Sequence, residues 1–489
     1  MTIKVRYAPS PTGPLHIGSA RTVLYNWLFA RQNSGKVLVR SEDTDRERSD
    51  PKWEKEICQS LRWLGLDWDE GIDAGGDAGP YRQTERLDLY KQYIDYLEQR
   101  GHTYYCFCTP EDLETRRQQS RQEHGGYDGA CRQLTPEEVT RRLNKGQPAA
   151  IRFQVPKPGK VEFTDLVRGD ITVDTTEISD FVILKKDGVP TYNFAVVVDD
   201  ITMGVSHVIR ANEHLINTPR QLLLYQSLQQ EPPAFAHISL ILDESGRKMS
   251  KRMGDTSVAS YAQKGYLPEA IVNYIALLGW APEEEREIFS LDEMVSVFNL
   301  ERVSRSPAVF DVKKLDWMNN QYIMQEDPNR LVDMALPLLA GQGIEVARGR
   351  EWLCEVIEVV RDELANLSQL ADFLPEFTAE EVAVSDQARE CLAWEKSNLV
   401  LDQFVARLQE MEPINSETVG EMLKQLNKDI KKQTGSGGKT VFMPLRAALS
   451  GQTSGQELYH LVPLLGKDLA IKRIEFCRQV AMESGDSNE

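Results

Sequence analysis

Two short stretches carry residues able to handle a nucleotide. In RYAPSPTGPLHIGSARTVLYNWLFAR, which begins at Arg6, the loop Pro9, Ser10, Pro11, Thr12, Gly13 leads to His16 and Gly18. In HISLILDESGRKMSKR, Arg247, Lys248, Lys251 and Arg252 crowd together. A loop that leaves a strand and opens a helix is a usual anion site in an α/β sheet, because the first helical N–H groups lack partners and the helix dipole favours negative charge. His16 adds a side-chain donor there, and Gly18 lets a ligand approach the backbone. A short basic cluster alone is usually a solvated loop; paired with the first stretch on the same sheet, it becomes a specific signal. The first stretch is neither GxxxxGK[ST] nor GxGxxG. QTGSGGKT at 433–440 ends like a phosphate loop, but it starts on Gln433 and lies between helical segments with no preceding strand, so nucleotide is not expected there.

The elements that must position these residues follow from periodicity. IKVRYA and KVLVRS read as strands; ARTVLYNWLFARQ reads as a helix with apolar positions 20, 23, 24, 27 and 28. TERLDLYKQYIDYLEQRG is a second helix, with Leu87, Tyr90, Ile94 and Leu97 on one face and Gly101 placed to stop it. That alternation predicts a parallel, doubly wound sheet. Residues 106–200 change to short runs with β-rich patches, AAIRFQV and DFVILKKDG, and read as an insertion. The αβ pattern resumes in TPRQLLLYQSL and HISLIL. Strands are expected to vanish from about Tyr266, where LPEAIVNYIALLGW forms a helix ending at Gly279, and the rest reads as helical, broken most clearly at 436–438 and fraying in ESGDSNE.

Composition bounds the partners. The chain has 489 residues, 41% hydrophobic and 27% charged, with net charge −18. This excludes an indiscriminate polyanion binder but not local basic patches. Three exist: Arg116, Arg117 and Arg121; Arg141, Arg142 and Lys145; Lys428, Lys431, Lys432 and Lys439. No leader pattern or membrane-length apolar run is seen, so a cytoplasmic chain is expected, without membrane contact and with reduced thiols. Cys58, Cys354, Cys391 and Cys477 lie singly in helical patterns; Cys106, Cys108 and Cys131 are grouped.

HIGS and KMSKR resemble the two signature motifs of class I aminoacyl-tRNA synthetases. The blocks RSEDTDRERS, GPYRQTERLDLY, PTYNFAVVVDD, NTPRQ, FDVKKLDWMNNQYI and VFMPLRAALSG extend the resemblance, nearly end to end, to bacterial-type glutamyl-tRNA synthetases. The resemblance implies a split Rossmann-like catalytic domain (1–105 and 201–255), an inserted acceptor-binding domain (106–200), a helical stem-contact region (256–325) and an all-helical anticodon-binding domain (326–489). It implies a monomer that uses ATP, as its Mg2+ complex, to join L-glutamate to tRNA-Glu through an adenylate; whether tRNA-Gln is charged too stays open. The rival reading is a tRNA-binding regulator that has kept the fold and lost catalysis.

Residue by residue, the resemblance gives His16, Gly18, Lys248 and Lys251 the catalytic roles, with Lys248 and Lys251 on the triphosphate. ATP contacts extend over Pro9, Ser10, Pro11, Thr12, Gly13, Ile17, Ser19, Glu213, Met249, Ser250 and Arg252. Arg6 and Arg210 would hold the two carboxylates of glutamate, and Glu42 its ammonium, with Ala8, Ser10 and Tyr192 completing the pocket. Ser19 departs from the second histidine of the general motif, Val196 stands where some relatives have Asn, and RANEH replaces RGEDH. CFC with DGACRQ resembles a zinc module in which Cys106, Cys108 and Cys131 are ligands. Gln133 stands where the fourth ligand is expected and is a poor one. Either His124 or Tyr127 supplies the fourth, or the module has lost its metal.

Overall fold

The structure is a computed structural model that describes residues 2–119, 127–249 and 256–483. The chain divides into two compact units, Met1–Ala262 with Pro268–Met318, and Gln263–Leu267 with Asn319–Glu489. Residues 106–200 lie in the first unit and the helical residues after Met318 in the second.

The strands of the first unit are β1 (Lys4–Tyr7), β2 (Lys36–Val39), β3 (Glu70–Gly71), β4 (Thr103–Cys106), β5 (Ala150–Phe153), β6 (Lys160–Asp165), β7 (Gly169–Asp174), β8 (Phe181–Leu184), β9 (His207–Ala211), β10 (Ala234–Ile238), β11 (Ile241–Leu242) and β12 (Ala308–Val309). Seven form one sheet in the order β3-β2-β1-β9-β10-β6-β7, parallel except for the β6–β7 hairpin. Val5, Val37, Leu38, Val39, Val208 and Ile209 are all buried, as expected of parallel strands covered on both faces. Helix α1 (Ile17–Gln32) buries Ala20, Val23, Leu24, Trp27 and Leu28, the face expected from its spacing. Helix α2 (Pro51–Trp63) is capped by Asp50, which accepts from the Lys52 amide, with Pro51 in the first turn. Helix α3 (Leu87–Gln99) ends ahead of Gly101, whose φ of 73° suits glycine.

Three features depart from the expected pattern. The hairpin β6–β7, inside the stretch read as an insertion, extends the main sheet through Phe235↔Asp165; only β4, β5 and β8 form a separate antiparallel sheet. HISLIL is not one strand: it breaks at Ser239–Leu240, where the Arg21 guanidinium takes the Ser239 carbonyl. Strands also persist beyond Tyr266, because β11 leaves the main sheet to pair with β12. The second unit is helical throughout its described residues from Pro328 to Glu483. Arg473 is fully buried there and donates to the carbonyls of Glu376 and Ala379 (both 2.8 Å) and Leu449 (2.9 Å), groups that end two helices without helical partners. The glycine-rich segment read as a loop caps Ser416–Thr434 with Gly435, and Asn427 holds the Gly438 amide at 2.6 Å.

Candidate active site

The site lies at the carboxyl ends of the parallel strands. β1 carries Arg6 and β9 carries Arg210; Glu42 follows β2, and Tyr192 opens the helix Tyr192–Thr202. Arg6, Glu42 and Arg210 are buried. Three guanidiniums buried here, Arg6, Arg40 and Arg86, require anions, and the VVVDD end of that helix provides two. Asp200 takes Arg40 at 2.8 Å and lies 3.6 Å from Arg6; Asp199 takes Arg86 at 2.7 Å and lies 3.5 Å from Arg40. Gln83 and Tyr90 also donate to Asp199. Arg40 reaches Glu42 at 3.2 Å. Burial would lower Arg40, but Asp200, Asp199 and Glu42 outweigh it and hold its pKa above the ordinary arginine value. Burial pushes Glu42 up, against the pull of Arg40 and Arg6.

Arg210 is placed differently. It donates through Nε to His237 (3.0 Å) and through one Nη to Thr218 (2.7 Å), while its other Nη is buried with no hydrogen-bond partner. Burial lowers its pKa and Arg6 adds to the effect, against the pull of Tyr192. Arg6 Nε makes no hydrogen bond, but it faces Asp200 Oδ2 at 3.6 Å. A buried guanidinium with an unpaired Nη is a donor suited to a carboxylate oxygen. The Tyr192 hydroxyl lies 3.3 Å from His214 Nδ1, and Ala8 is half-buried at the end of β1.

At the nucleotide end, His16 caps α1: its Nδ1 accepts from the Gly18 amide at 3.0 Å. In the neutral ring the proton is then on Nε2, which makes that nitrogen the donor. A Cβ on Gly18 would meet only His16 Nδ1, at 3.5 Å, so the protein itself leaves this position open. The amides expected to face phosphate are partly engaged, since Ile17 donates to the Thr256 carbonyl at 3.0 Å and Gly18 to His16. The HIGS loop therefore meets the segment that follows KMSKR, because Val258 also donates to the Leu15 carbonyl at 2.9 Å. The preceding loop is anchored by Pro9 and Pro11, whose carbonyls accept from Glu42 (2.9 Å) and Asp50 (3.0 Å). Ser10, Thr12 and Ser19 are exposed, and Gly13 is buried. Lys248 is exposed and paired with Glu213, and Met249 donates to the Ile241 carbonyl at 3.3 Å. Ser250, Lys251 and Arg252 lie outside the described residues.

Cys106, Cys108 and Cys131 converge, with sulfurs within 4.8 Å of one another. Of the two candidates for a fourth ligand, the Tyr127 hydroxyl lies 3.6 Å from Cys106 Sγ and 3.8 Å from Cys108 Sγ; His124 lies outside the described residues. The hydrogen bond with Cys131 holds the Cys106 thiol well below its usual range, and the same bond pushes the Cys131 thiol up. Among the basic patches, Arg116 pairs with Asp128, and Arg141 and Arg142 with Glu138.

The partners that orient these groups, Arg40, Gln83, Arg86, Asp199, Asp200 and His237, were not singled out from the sequence. Most sit inside quoted blocks, and the signal available was charge at the edge of apolar runs.

Residues 2–317 match the catalytic-domain model of the class I tRNA synthetases for glutamate and glutamine. The chain belongs to this family. Residues 330–478 match an anticodon binding domain. Across 96% of its length the chain is 50% identical to a glutamate–tRNA ligase of Desulfitobacterium hafniense, covering 98% of that protein. It is 48% identical to one of Carboxydothermus hydrogenoformans, over 96% of this chain and 99% of the relative. A solved glutamate tRNA ligase of Elizabethkingia meningosepticum, in complex with its amino acid, superposes with a TM-score of 0.88 at 32% identity, over 98% of this chain and 100% of that one. Family membership makes the parallel-sheet unit the catalytic part and the helical unit the anticodon-binding part. Among the described residues, no helix is long and apolar enough to cross a membrane.

Proposed function

We propose that this chain activates L-glutamate with ATP and transfers it to the terminal ribose of tRNA-Glu. The observation that carries the reading is the pair of buried guanidiniums, Arg6 and Arg210, with one Nη of Arg210 left without a hydrogen-bond partner, together with the buried carboxylate of Glu42, whose charge feels Arg6. A ligand with two carboxylates and one ammonium fits that arrangement. In the first step a glutamate carboxylate oxygen attacks the α-phosphorus of Mg2+-bound ATP and pyrophosphate leaves. In the second, a ribose hydroxyl attacks the carbonyl carbon of the adenylate and AMP leaves. Neither step needs a protein nucleophile; positioning and neutralisation of phosphate charge suffice. His16 Nε2 donates to the nucleotide, Gly18 keeps the approach open, and Lys248 and Lys251 meet the triphosphate. Lys248 exchanges Glu213 for phosphate at little cost, because an exposed ion pair is weak.

Cys106, Cys108, Cys131 and the Tyr127 hydroxyl form a donor set that suits a structural zinc, and none of them takes part in the reaction. The inserted segment contacts the acceptor end of the tRNA, the 256–325 region its stem and the helical unit its anticodon.

ATP–pyrophosphate exchange with glutamate, with and without tRNA, tests the reading. The enzyme exchanges; a regulator that has lost catalysis binds tRNA and does not. Charging tRNA-Glu and tRNA-Gln side by side then measures how far recognition extends.

A further inference from the structure

The hairpin β6–β7 brings a carboxylate into the catalytic sheet. Asp165, the last residue of β6, is fully buried. Its Oδ1 accepts from the amides of Val167 (3.0 Å), Arg168 (2.8 Å) and His237 (3.2 Å). These bonds fix the carboxylate, and its Oδ2 lies 2.6 Å from His237 Nδ1. His237 stands on β10 directly beside Arg210 on β9, as its register partner. Its Nε2 lies 3.0 Å from Arg210 Nε and 3.1 Å from the Thr218 hydroxyl.

The chemistry of the donors settles the proton. A guanidinium has donors and no acceptor, so Nε2 must present its lone pair to Arg210. The ring proton is then on Nδ1, where Asp165 accepts it. Burial keeps His237 below its usual pKa, against the pull of Asp165, and the Arg210 charge acts in the same direction as burial. Burial would raise Asp165, but its bonds from His237 and the Arg168 amide hold it below the usual carboxylate range.

We infer that Asp165 and His237 form a tautomer lock that orients Arg210, so that the β6–β7 hairpin sets the geometry of the amino-acid pocket. Both are positioning residues; neither touches substrate. The inference rests on Arg210 holding a glutamate carboxylate. With Nε and one Nη committed to His237 and Thr218, the guanidinium plane is fixed and the other Nη is the nitrogen with no protein partner.

Asp165→Asn tests the lock by reversing it. The amide oxygen keeps the bonds to the turn amides, so the NH2 group faces His237 Nδ1. The ring must then accept there and carry its proton on Nε2, donor against donor with Arg210. Exchange kinetics with glutamate and ATP varied in turn should show the glutamate KM raised roughly tenfold or more, the scale of one lost charge-assisted hydrogen bond, with the ATP KM changed by less than about twofold. His237→Phe should match it, and His237→Gln, which keeps an acceptor, should recover part of the loss. An unchanged glutamate KM, or both KM values rising together, would overturn the lock. The tautomer itself is readable in the unaltered protein by 15N chemical shifts of labelled histidines: Nδ1–H is expected at His237, and Nε2–H would overturn the inference even if the variants do not fold. Failure of the wild-type enzyme to exchange with glutamate would instead refute the substrate reading beneath it.

Discussion

The two ends of the active site hold their cations in contrasting ways. At the amino-acid end, Arg6 and Arg210 are 5% and 4% exposed, set in a network of carboxylates, a histidine and a threonine. At the phosphate end, the Lys248 side chain is 60% exposed and pairs with the half-exposed Glu213. A buried guanidinium has its direction fixed before substrate arrives, and that preorganisation favours selectivity. An exposed lysine takes up its position with the substrate, which suits a group that neutralises charge as it develops. On the proposed function, amino-acid choice resides in the folded interior, and phosphate chemistry in the motif at the surface.

Glutamine gives the most severe test of that division. It is nearly isosteric with glutamate but brings a neutral amide whose NH2 would face a guanidinium, leaving a desolvated charge unpaired. Discrimination in exchange kinetics should be roughly ten-thousandfold, as in sites built around a specific polar partner. Comparable activation of the two amino acids would show that the buried arginines do not select.

Lys251→Ala probes the other end. Pyrophosphate exchange should slow on the order of a hundredfold or more, as for other charge-stabilising donors, while the glutamate dissociation constant stays nearly unchanged. Normal exchange would remove KMSKR from the chemistry.

The same contrast appears in stability. Asp199 accepts from Arg86, Gln83 and Tyr90 and faces Arg40. Asp199→Asn strips a charge from a closed network and should cost about 3–5 kcal/mol, the usual penalty for breaking a buried pair, seen as a lower urea midpoint. Glu213→Gln, at the exposed pair, should not move the midpoint measurably. Equal effects would show that burial is not what separates the two ends.

How much of this was legible in the sequence follows the same line. The α1 face at 20, 23, 24, 27 and 28 is buried as its spacing requires, and the HIGS loop meets the residues that follow KMSKR. The three grouped cysteines converge. Local patterns specify such features because each is set by neighbours in sequence or by a motif. The lock on Arg210 depends instead on Asp165 pairing across the sheet with a strand far along the chain, and KVEFTD, alternating and partly polar, reads equally well as an edge of an insertion. The break in HISLIL was hidden for a related reason: it depends on Arg21, a lone charge in a helix that is otherwise apolar on that face. Buried charge was the missed signal. VVVDD places two carboxylates at the end of an apolar run, and burying them demands arginines.

For the chemistry itself the smallest effect is expected in the cysteine module, where the contrast between geometry and motif can be sharpened. The Tyr127 hydroxyl sits near two of the three sulfurs and also accepts the Cys131 amide at 2.8 Å. Its ring stacks under Arg152, 3.7 Å away, so Tyr127→Phe keeps the packing and deletes only the oxygen. With zinc bound, that variant should lose affinity by roughly ten- to a hundredfold, the scale seen when groups supporting a metal site are removed, measured by chelator competition. Cys131→Ser removes a thiolate and should abolish stoichiometric zinc, so metal that survives it would place the site on other ligands. Glutamate KM should be unchanged by Tyr127→Phe, because no residue of the module takes part in the amino-acid pocket. A shift in that KM would mean that the module and the pocket are coupled, and the separation drawn here between buried selection and peripheral support would fail. Unchanged zinc affinity would leave the three cysteines to find their fourth ligand in solvent or elsewhere in the chain.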